Sequence, residues 1–397
     1  MAAKIEFFPV DNGDMTLLTL ESGRQVLIDI HIRQIDDSEE SPPDVTTMLR
    51  NRLKRDEQNR LYVDAFLLTH PDEDHILGLS EHFHLGPIED WDEDSDKIII
   101  REMWSSPIIF RRKSTLAEKA SVTLCDDAIA WWNEARRRVK AFRDGDGLND
   151  GNRILVLGDD IGDKEAGLEQ INIRIGNSFS HICGTEDGSV IIDLLGPLPQ
   201  QETEEDEEAL AKNRSSVIAR FRFTIDDTDD AFMFLAGGDA EVFVWERIWD
   251  MHKDHPATLS YDLLQTPHHC SFHSMSSDSW SERGEDAKVN SKALNALSQA
   301  KKGASIVSSS KPISDDDDDP PCVRAAREYE AIAKRVGGKF ICTMTHHGEG
   351  EPDVLLFTLG EDGGNKGYHS PIPTGPVISR LDPPTGEFEK HGGGRYA

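Results

Sequence analysis

The sequence is short of cysteine, of positive charge and of long apolar runs, and each shortage closes off a class of protein. Five cysteines (Cys125, Cys183, Cys270, Cys322 and Cys342) in 397 residues are odd in number and far apart, with no C-x-x-C spacing. That usage suits a reducing compartment and excludes a secreted disulfide scaffold or a zinc finger. No apolar stretch approaches the ~18 residues needed to cross a bilayer. Charge at Lys4 and Glu6 interrupts the first residues, so no secretory leader is expected and the expected location is the cytoplasm. Positive charge is scarce: 43 Lys and Arg stand against 74 Asp and Glu, a net charge of −31. A surface that grips polyanions as a whole is therefore not expected. Much of the acidic excess lies in tracts at 89–96, 202–208, 226–230 and 315–319, which read as solvated loops.

What is present is a succession of short β-like segments. Lys4 to Pro9, Met15 to Leu20 and Gln25 to Ile30, separated by the turn signals Asp11-Asn12-Gly13-Asp14 and Ser22-Gly23, predict an opening antiparallel meander. Residues 45–58 read as a surface helix, and Leu61 to Leu68 as an apolar strand. Further strands are predicted at Lys97 to Trp104, 154–158, 171–175, 190–195, 216–224, 231–236, 263–265, 304–308 and 339–344. Helices are predicted at 115–143, 241–252 and 322–336. No internal repeat of fixed period is visible. Strands first, then strands alternating with helices in both halves, point to an α/β sandwich with helices outside two sheets. No linker divides the chain, so residues 1–397 are read as one domain with acidic insertions near 86–97, 200–210 and 313–321.

Three strand ends carry the chemistry. The strongest is His70-x-Asp72-x-Asp74-His75, directly after the apolar strand. Residues two apart in an extended segment point the same way, so His70, Asp72 and Asp74 can converge, and a turn into a helix lets His75 join them. Imidazole and carboxylate together suit divalent metals. The alternative is a polar strand-to-helix loop, but two histidines and two aspartates in that order make chance clustering uncommon. Asp239 follows Gly237-Gly238 after a second apolar strand, and His268-His269 follows a third. Alone, the first would be a tight turn and the second a surface pair. With residues 70–75 they supply a complete two-metal set. Asp29, ending the strand that begins at Val26, is either a satisfied turn carboxylate or an acceptor that fixes a ligand histidine from behind.

On these residues the chain resembles the metallo-β-lactamase superfamily, and within it the ComEC-like branch, named after the metallohydrolase domain of competence proteins. Phe8-Pro9-Val10-Asp11-Asn12-Gly13-Asp14 is similar to that branch's opening turn, and Val26-Leu27-Ile28-Asp29 to its next strand. Thr69-His70-Pro71-Asp72-Glu73-Asp74-His75 resembles its ligand motif, including Asp where the wider superfamily has a second His. Leu195-Gly196-Pro197, Asn213-Arg214-Ser215-Ser216-Val217, Leu235-Ala236-Gly237-Gly238-Asp239 and Pro267-His268-His269-Cys270-Ser271 follow in the family's order. Two departures stand out. Cys270 replaces the usual Gly, and no histidine lies around 195–216, where the wider superfamily places a further ligand. The repeat His346-His347-Gly348, after the final strand of that region, is read as non-ligating.

The resemblance implies a metallo-β-lactamase αββα sandwich with two mixed β-sheets and helices outside. It implies two divalent metal ions, Zn or Mn with Mg as a further option. His70 and Asp72 would hold one ion, and Asp74, His75 and His268 or His269 the other, with Asp239 bridging. Asp14, Asn213 and Ser216 would join Asp29 in orienting ligands. The remaining histidine of the pair, with Asp74 and the shared hydroxide of a two-metal centre, would serve catalysis. The implied activity is hydrolysis of phosphodiesters, nucleic acid included, with a soluble effector of a bacterial defence system, working beside a partner protein, as one role. A homo-oligomer is left open, and no membrane is involved. Within the chain, Arg136, Arg137 and Arg138, with Arg111-Arg112-Lys113 and Trp131-Trp132, form either a basic strip with stacking rings or a solvated helix face. The alternatives are a hydrolase of a small phosphoester, cyclic nucleotide or lactone, which suits the acidic surface better, and a non-catalytic metal-stabilised partner protein.

Overall fold

A computed structural model of the chain describes residues 2–36, 38, 41–110, 124–146, 148–159, 166–199, 215–348 and 350–359. Alternation along the strands decides the layering. In the strand Leu61–Leu68, Ala65 and Leu67 join one buried apolar cluster while Phe66 and Leu68 join another. Successive side chains of a strand point to opposite faces, so a strand apolar at every position from Ala65 to Leu68 must be covered on both sides there. The inner cluster sets Ile5, Phe7, Val26 and Leu67 against Phe221, Phe223, Phe234, Leu263 and Val307. Phe7 meets the rings of Phe234 and Phe357 edge-on, at 5.8 and 5.9 Å between centroids. Each such ring removed from water contributes roughly 1.5–3 kcal/mol.

Two mixed sheets enclose that layer. The first runs, edge to edge, Leu355–Leu359, Ala3–Phe7, Thr16–Thr19, Gln25–Ile28, Leu61–Leu68, Ile98–Ser105, Arg153–Leu157 and Asn172–Ile173. The second runs Ser178–Phe179, Val190–Gly196, Ile218–Ile225, Thr228–Ala236, Tyr261–Gln265, Ala300–Ser308 and Lys339–Cys342. Each begins antiparallel and becomes parallel, from the pairing of Gln25–Ile28 with Leu61–Leu68 in the first and of Thr228–Ala236 with Tyr261–Gln265 in the second. Helix Asp126–Asp144 lays Trp131, Ala135 and Val139 on the outer face of the first sheet. Helices Val242–His252 and Val323–Val336 lay Trp245, Ile248, Tyr329 and Ile332 on the outer face of the second. This is an αββα sandwich of two mixed sheets with helices outside, the architecture expected from the sequence. Among the described residues, no helix is long and apolar enough to cross a membrane, and all five cysteines are free thiols.

Some expected elements differ in extent. The helix expected over 45–58 ends at Arg50, because Lys54–Arg55 pairs antiparallel with Leu61 and Tyr62. The described part of the 115–143 helix begins at Asp126, where Cys125 caps it by accepting from the Ala128 amide. Strand Leu355–Leu359, not anticipated, pairs antiparallel with Ala3–Phe7 and completes the first sheet. The acidic insertion at 86–97 is a loop with two short turns, Ile88–Asp90 and 93–96. The expected insertion at 200–210, the basic triplet 111–113 and Asn213 lie outside the described residues.

Candidate metal centre

Parallel strands deliver their ends to one edge of a sheet, and here both sheets present those ends to each other. Gln25–Ile28 leads to Asp29, Leu61–Leu68 to His70, Thr228–Ala236 to Asp239, and Tyr261–Gln265 to His268 and His269. The two edges are stitched by backbone where the Val217 amide donates to the Thr69 carbonyl at 2.9 Å, and within the second sheet the His268 amide donates to the Gly238 carbonyl at 3.0 Å. Gly238, at φ +48, sits where a Cβ would lie 3.0 Å from Thr69 and 3.1 Å from Ser216. Only a glycine lets the sheets approach this closely in that backbone conformation. Ser216 accepts from the Asp239 amide at 3.2 Å, holding that residue at the crossing.

Asp29, fully buried, anchors the ligand loop. Its carboxylate accepts from the Thr69 amide at 2.7 Å and the Thr69 hydroxyl at 2.6 Å, and lies 2.8 Å from His75 Nδ1. A carboxylate at Nδ1 holds the proton there and turns the Nε2 lone pair inward, toward Asp239 and His269. Thr69 Oγ1 stands 3.1 Å from His70 Nδ1 and treats that ring in the same way. Burial raises the Asp29 carboxyl, opposed by His75.

The centre is organised around the two oxygens of Asp239. Oδ2 faces His70 Nε2 at 3.4 Å and His268 Nε2 at 3.7 Å, and His70 Nε2 is also 3.7 Å from Asp72. Oδ1 faces His75 Nε2 at 3.0 Å and His269 Nε2 at 3.6 Å. His269 Nε2 is 3.1 Å from Asp74, and its Nδ1 is 3.4 Å from Asp14. Asp14, His75, Asp239 and His269 are all buried, with donor atoms within 4.8 Å of one another. The structure thus gathers His70, Asp72, Asp74, His75, Asp239, His268 and His269 in one place, with Asp14, Asp29 and Ser216 against them. His346 and His347 instead turn their ring nitrogens to the carbonyls of Thr343 and Met344.

Charge is strongly coupled there. Burial and His75 push the His70 imidazole down, but Asp239 and Asp72 outweigh them and leave it at about 9. Burial likewise opposes His269, which Asp239, Asp14 and Asp74 raise to about 10. Asp239 is held well below the usual carboxylate range, because His75, His269, His70 and His268 together overcome its burial. Asp74 is also lowered, burial being outweighed by His269 and His75. His70 Nε2, Asp14 Oδ1, Asp239 Oδ1 and His269 Nδ1 are buried without a hydrogen-bond partner. Buried polar atoms are ordinarily satisfied. Orphaned nitrogen and carboxylate donors converging on one centre fit divalent cations, which take such donor sets.

Sequence reasoning missed His31. Its Nδ1 is buried against Gly13, where a Cβ would lie 2.2 Å away, and burial pulls its pKa down to about 4. A lone histidine beyond a strand gives no signal by itself. Arg137 and Arg138 correct both readings of the arginine triplet, basic strip and solvated helix face alike. Arg138 is only 1% exposed; it donates to Glu134 at 2.7 Å and to the carbonyls of Ile100 and Arg153 at 3.0 Å. Arg137 donates to Glu134, to Asn152 and to the carbonyls of Gly86 and Gly151. Arg138 turns toward the sheet and Arg137, half-buried, toward the loops at Gly86 and Gly151, so of the three only Arg136, over the Trp132 ring at 4.4 Å, is not tied into this network.

No family model and no curated sequence match the chain. Among solved structures it is similar to a mutant of the CmlA beta-hydroxylase, with 10% identity and a TM-score of 0.42 over 90% of this chain and 54% of that one. This chain thus spans about half the length of that protein. It is also similar to unliganded yeast PDE1, with 12% identity and a TM-score of 0.37 over 86% of this chain and 97% of that one. A third is a new diphosphatase from the PhnP family, with 10% identity and a TM-score of 0.33 over 91% and 100%.

Proposed function

We propose that this chain is a metal-dependent hydrolase of the metallo-β-lactamase fold that cleaves phosphoesters, phosphodiesters first among them. The observation that carries this reading is the Asp239 carboxylate, whose two oxygens face separate sets of nitrogen and carboxylate donors. His70 and Asp72 with one oxygen, and Asp74, His75 and His269 with the other, would hold two divalent cations, Zn or Mn by their mixed donors. Such cations supply Lewis-acid stabilisation of the negative charge that builds on a phosphoryl group under attack. Asp29 keeps the proton on His75 Nδ1 and so fixes which nitrogen faces the centre. The side chain of Asp74 is 37% exposed, the most open of the carboxylates at the centre, and it stays ionised. It is suited to accept a hydrogen bond from an entering water and to orient it.

Polymer or small ester is the next division. A nuclease with this acidic surface needs cations that follow a strand, and two of the three expected arginines are spent inside the fold. That favours a small phosphodiester over DNA or RNA. The test is product formation by the Mn²⁺-loaded wild type and Asp74→Ala on single- and double-stranded DNA, RNA and a chromogenic phosphodiester. Turnover of the small ester, reduced about 100-fold or more in Asp74→Ala, is the expected result. Cleavage of polymer alone would reverse the size preference, and silence on every substrate with metal bound would overturn the phosphoesterase reading.

A further inference from the structure

Adjacent residues seldom serve two different centres, yet His268 and His269 are placed to do so. Both have left-handed backbones, at φ 51° and 50°, and Cys270 continues the run at φ 68°. Three successive non-glycine residues in this region store roughly 1–3 kcal/mol of strain each. The fold holds them there: the Ser271 amide donates to the His268 carbonyl at 2.7 Å, the Cys322 amide to the Cys270 carbonyl at 3.0 Å, and the Ser274 hydroxyl to the Pro267 carbonyl at 3.1 Å. In consequence the two rings stand 73° apart with centroids 6.1 Å from each other. They straddle Asp239, His268 Nε2 near Oδ2 and His269 Nε2 near Oδ1. Cys270 occupies a conformation that glycine adopts freely, so the substitution leaves the turn in place.

We infer that both histidines are metal ligands, and for different ions: His269 for the ion of Asp74 and His75, His268 for the ion of His70 and Asp72. This rests on the two-metal reading above and deepens it. Without His268 the second set has four donors (Asp74, His75, His269 and Asp239 Oδ1), while the first has three (His70, Asp72 and Asp239 Oδ2). The sequence offers no histidine between His181 and His252, so the Val190–Gly196 strand and the loop after it cannot supply the missing imidazole. His268, on the same carboxylate oxygen as His70, makes the sets equal. It is also the more open of the pair, its side chain 18% exposed against none for His269.

The test is the Mn²⁺ content of desalted wild type, His268→Ala, His70→Ala and His75→Ala, read together with the electron paramagnetic resonance of the bound ions. Wild type should retain two ions with the broadened signal of a coupled pair. His268→Ala and His70→Ala should each retain one and give matching uncoupled spectra, distinct from that of His75→Ala. His268→Asp, which restores a donor, should regain the lost ion, which separates ligation from a folding defect that melting curves would also reveal. Two coupled ions retained in His268→Ala would overturn the assignment, leaving His268 as a substrate contact with a raised KM. Fewer than two ions in the wild type would instead overturn the two-metal reading, and the assignment with it.

Discussion

Two buried clusters of charge in this molecule are built in opposite ways. Beneath helix Asp126–Asp144, Glu134 receives Arg138 and Arg137 at 2.7 Å each and accepts from the Gly86 amide at 3.0 Å. The other arginine nitrogens end on backbone carbonyls and Asn152. That network closes on itself. At the meeting of the two sheets, carboxylates and imidazoles are as deeply buried, yet several of their donor atoms face one another with no hydrogen bond. A closed cluster fastens a helix to a sheet. An open one, costly in isolation, is what a site for a further charge requires.

The comparison breaks first at Asp239. Asp239→Ala removes the only group shared by both donor sets, so both ions should be lost. Hydrolysis of a chromogenic phosphodiester should fall about 1000-fold or more, since several kcal/mol of charge stabilisation go with the ions. Metal content and kcat/KM measured on the same preparation check this; a variant that keeps two ions would show that the carboxylate is not shared.

Glu134→Ala attacks the closed cluster instead. It leaves Arg138 buried without its carboxylate, which should destabilise the fold by about 3–5 kcal/mol. The metal content of the folded fraction should not change. Denaturant unfolding beside metal analysis separates the two effects. A variant that folds normally and loses metal would place this helix in the site.

Much of this contrast was legible in the sequence. The αββα order followed from apolar runs punctuated by turns, and the residues of 70–75 and 268–269 stand together because each set lies on one strand end. Glu134 with Arg137 and Arg138 is visible as spacings of three and four on a helix, but not the fact that this face turns toward Ile100. Exposure on a helix of low overall hydropathy is a tertiary property. Strand Leu355–Leu359 was missed because so short a largely apolar run gains its meaning only from its pairing with Ala3–Phe7. His31 was missed for the same kind of reason, since its neighbour Gly13 belongs to a different turn.

Protons sharpen the comparison next. In the metal-free protein His70 and His269 sit at about 9 and about 10, above the unfolded value near 6.5. A folded pKa that is raised gives stability that is complete below pH 6.5 and lost as pH climbs through 9 to 10. The melting temperature of metal-free protein should therefore fall over that interval, and that of metal-loaded protein should fall less. Ligand protons must leave for a cation to bind. Apparent Mn²⁺ affinity should thus rise about tenfold per pH unit for each proton expelled, up to about pH 9. Calorimetric titration in buffers of different ionisation enthalpy counts those protons directly, and affinity independent of pH would contradict the arrangement.

The smallest effect is expected at Arg136, the one member of the basic triplet left outside the closed network. Its guanidinium lies over the Trp132 ring at 4.4 Å, a contact worth about 0.5–1 kcal/mol near a surface. Arg136→Ala should lower stability by no more than that. It should leave turnover of a small phosphodiester within about twofold, because a stacked cation at the surface contributes no charge to the buried donors. The informative readout is salt dependence with single-stranded DNA. A residue that neutralises a phosphate changes the slope of log affinity against log salt by about 0.7 for a single strand. An unchanged slope would leave Arg136 as a stacking contact and strengthen the case for a small substrate. A lost increment would restore one element of a nucleic-acid track.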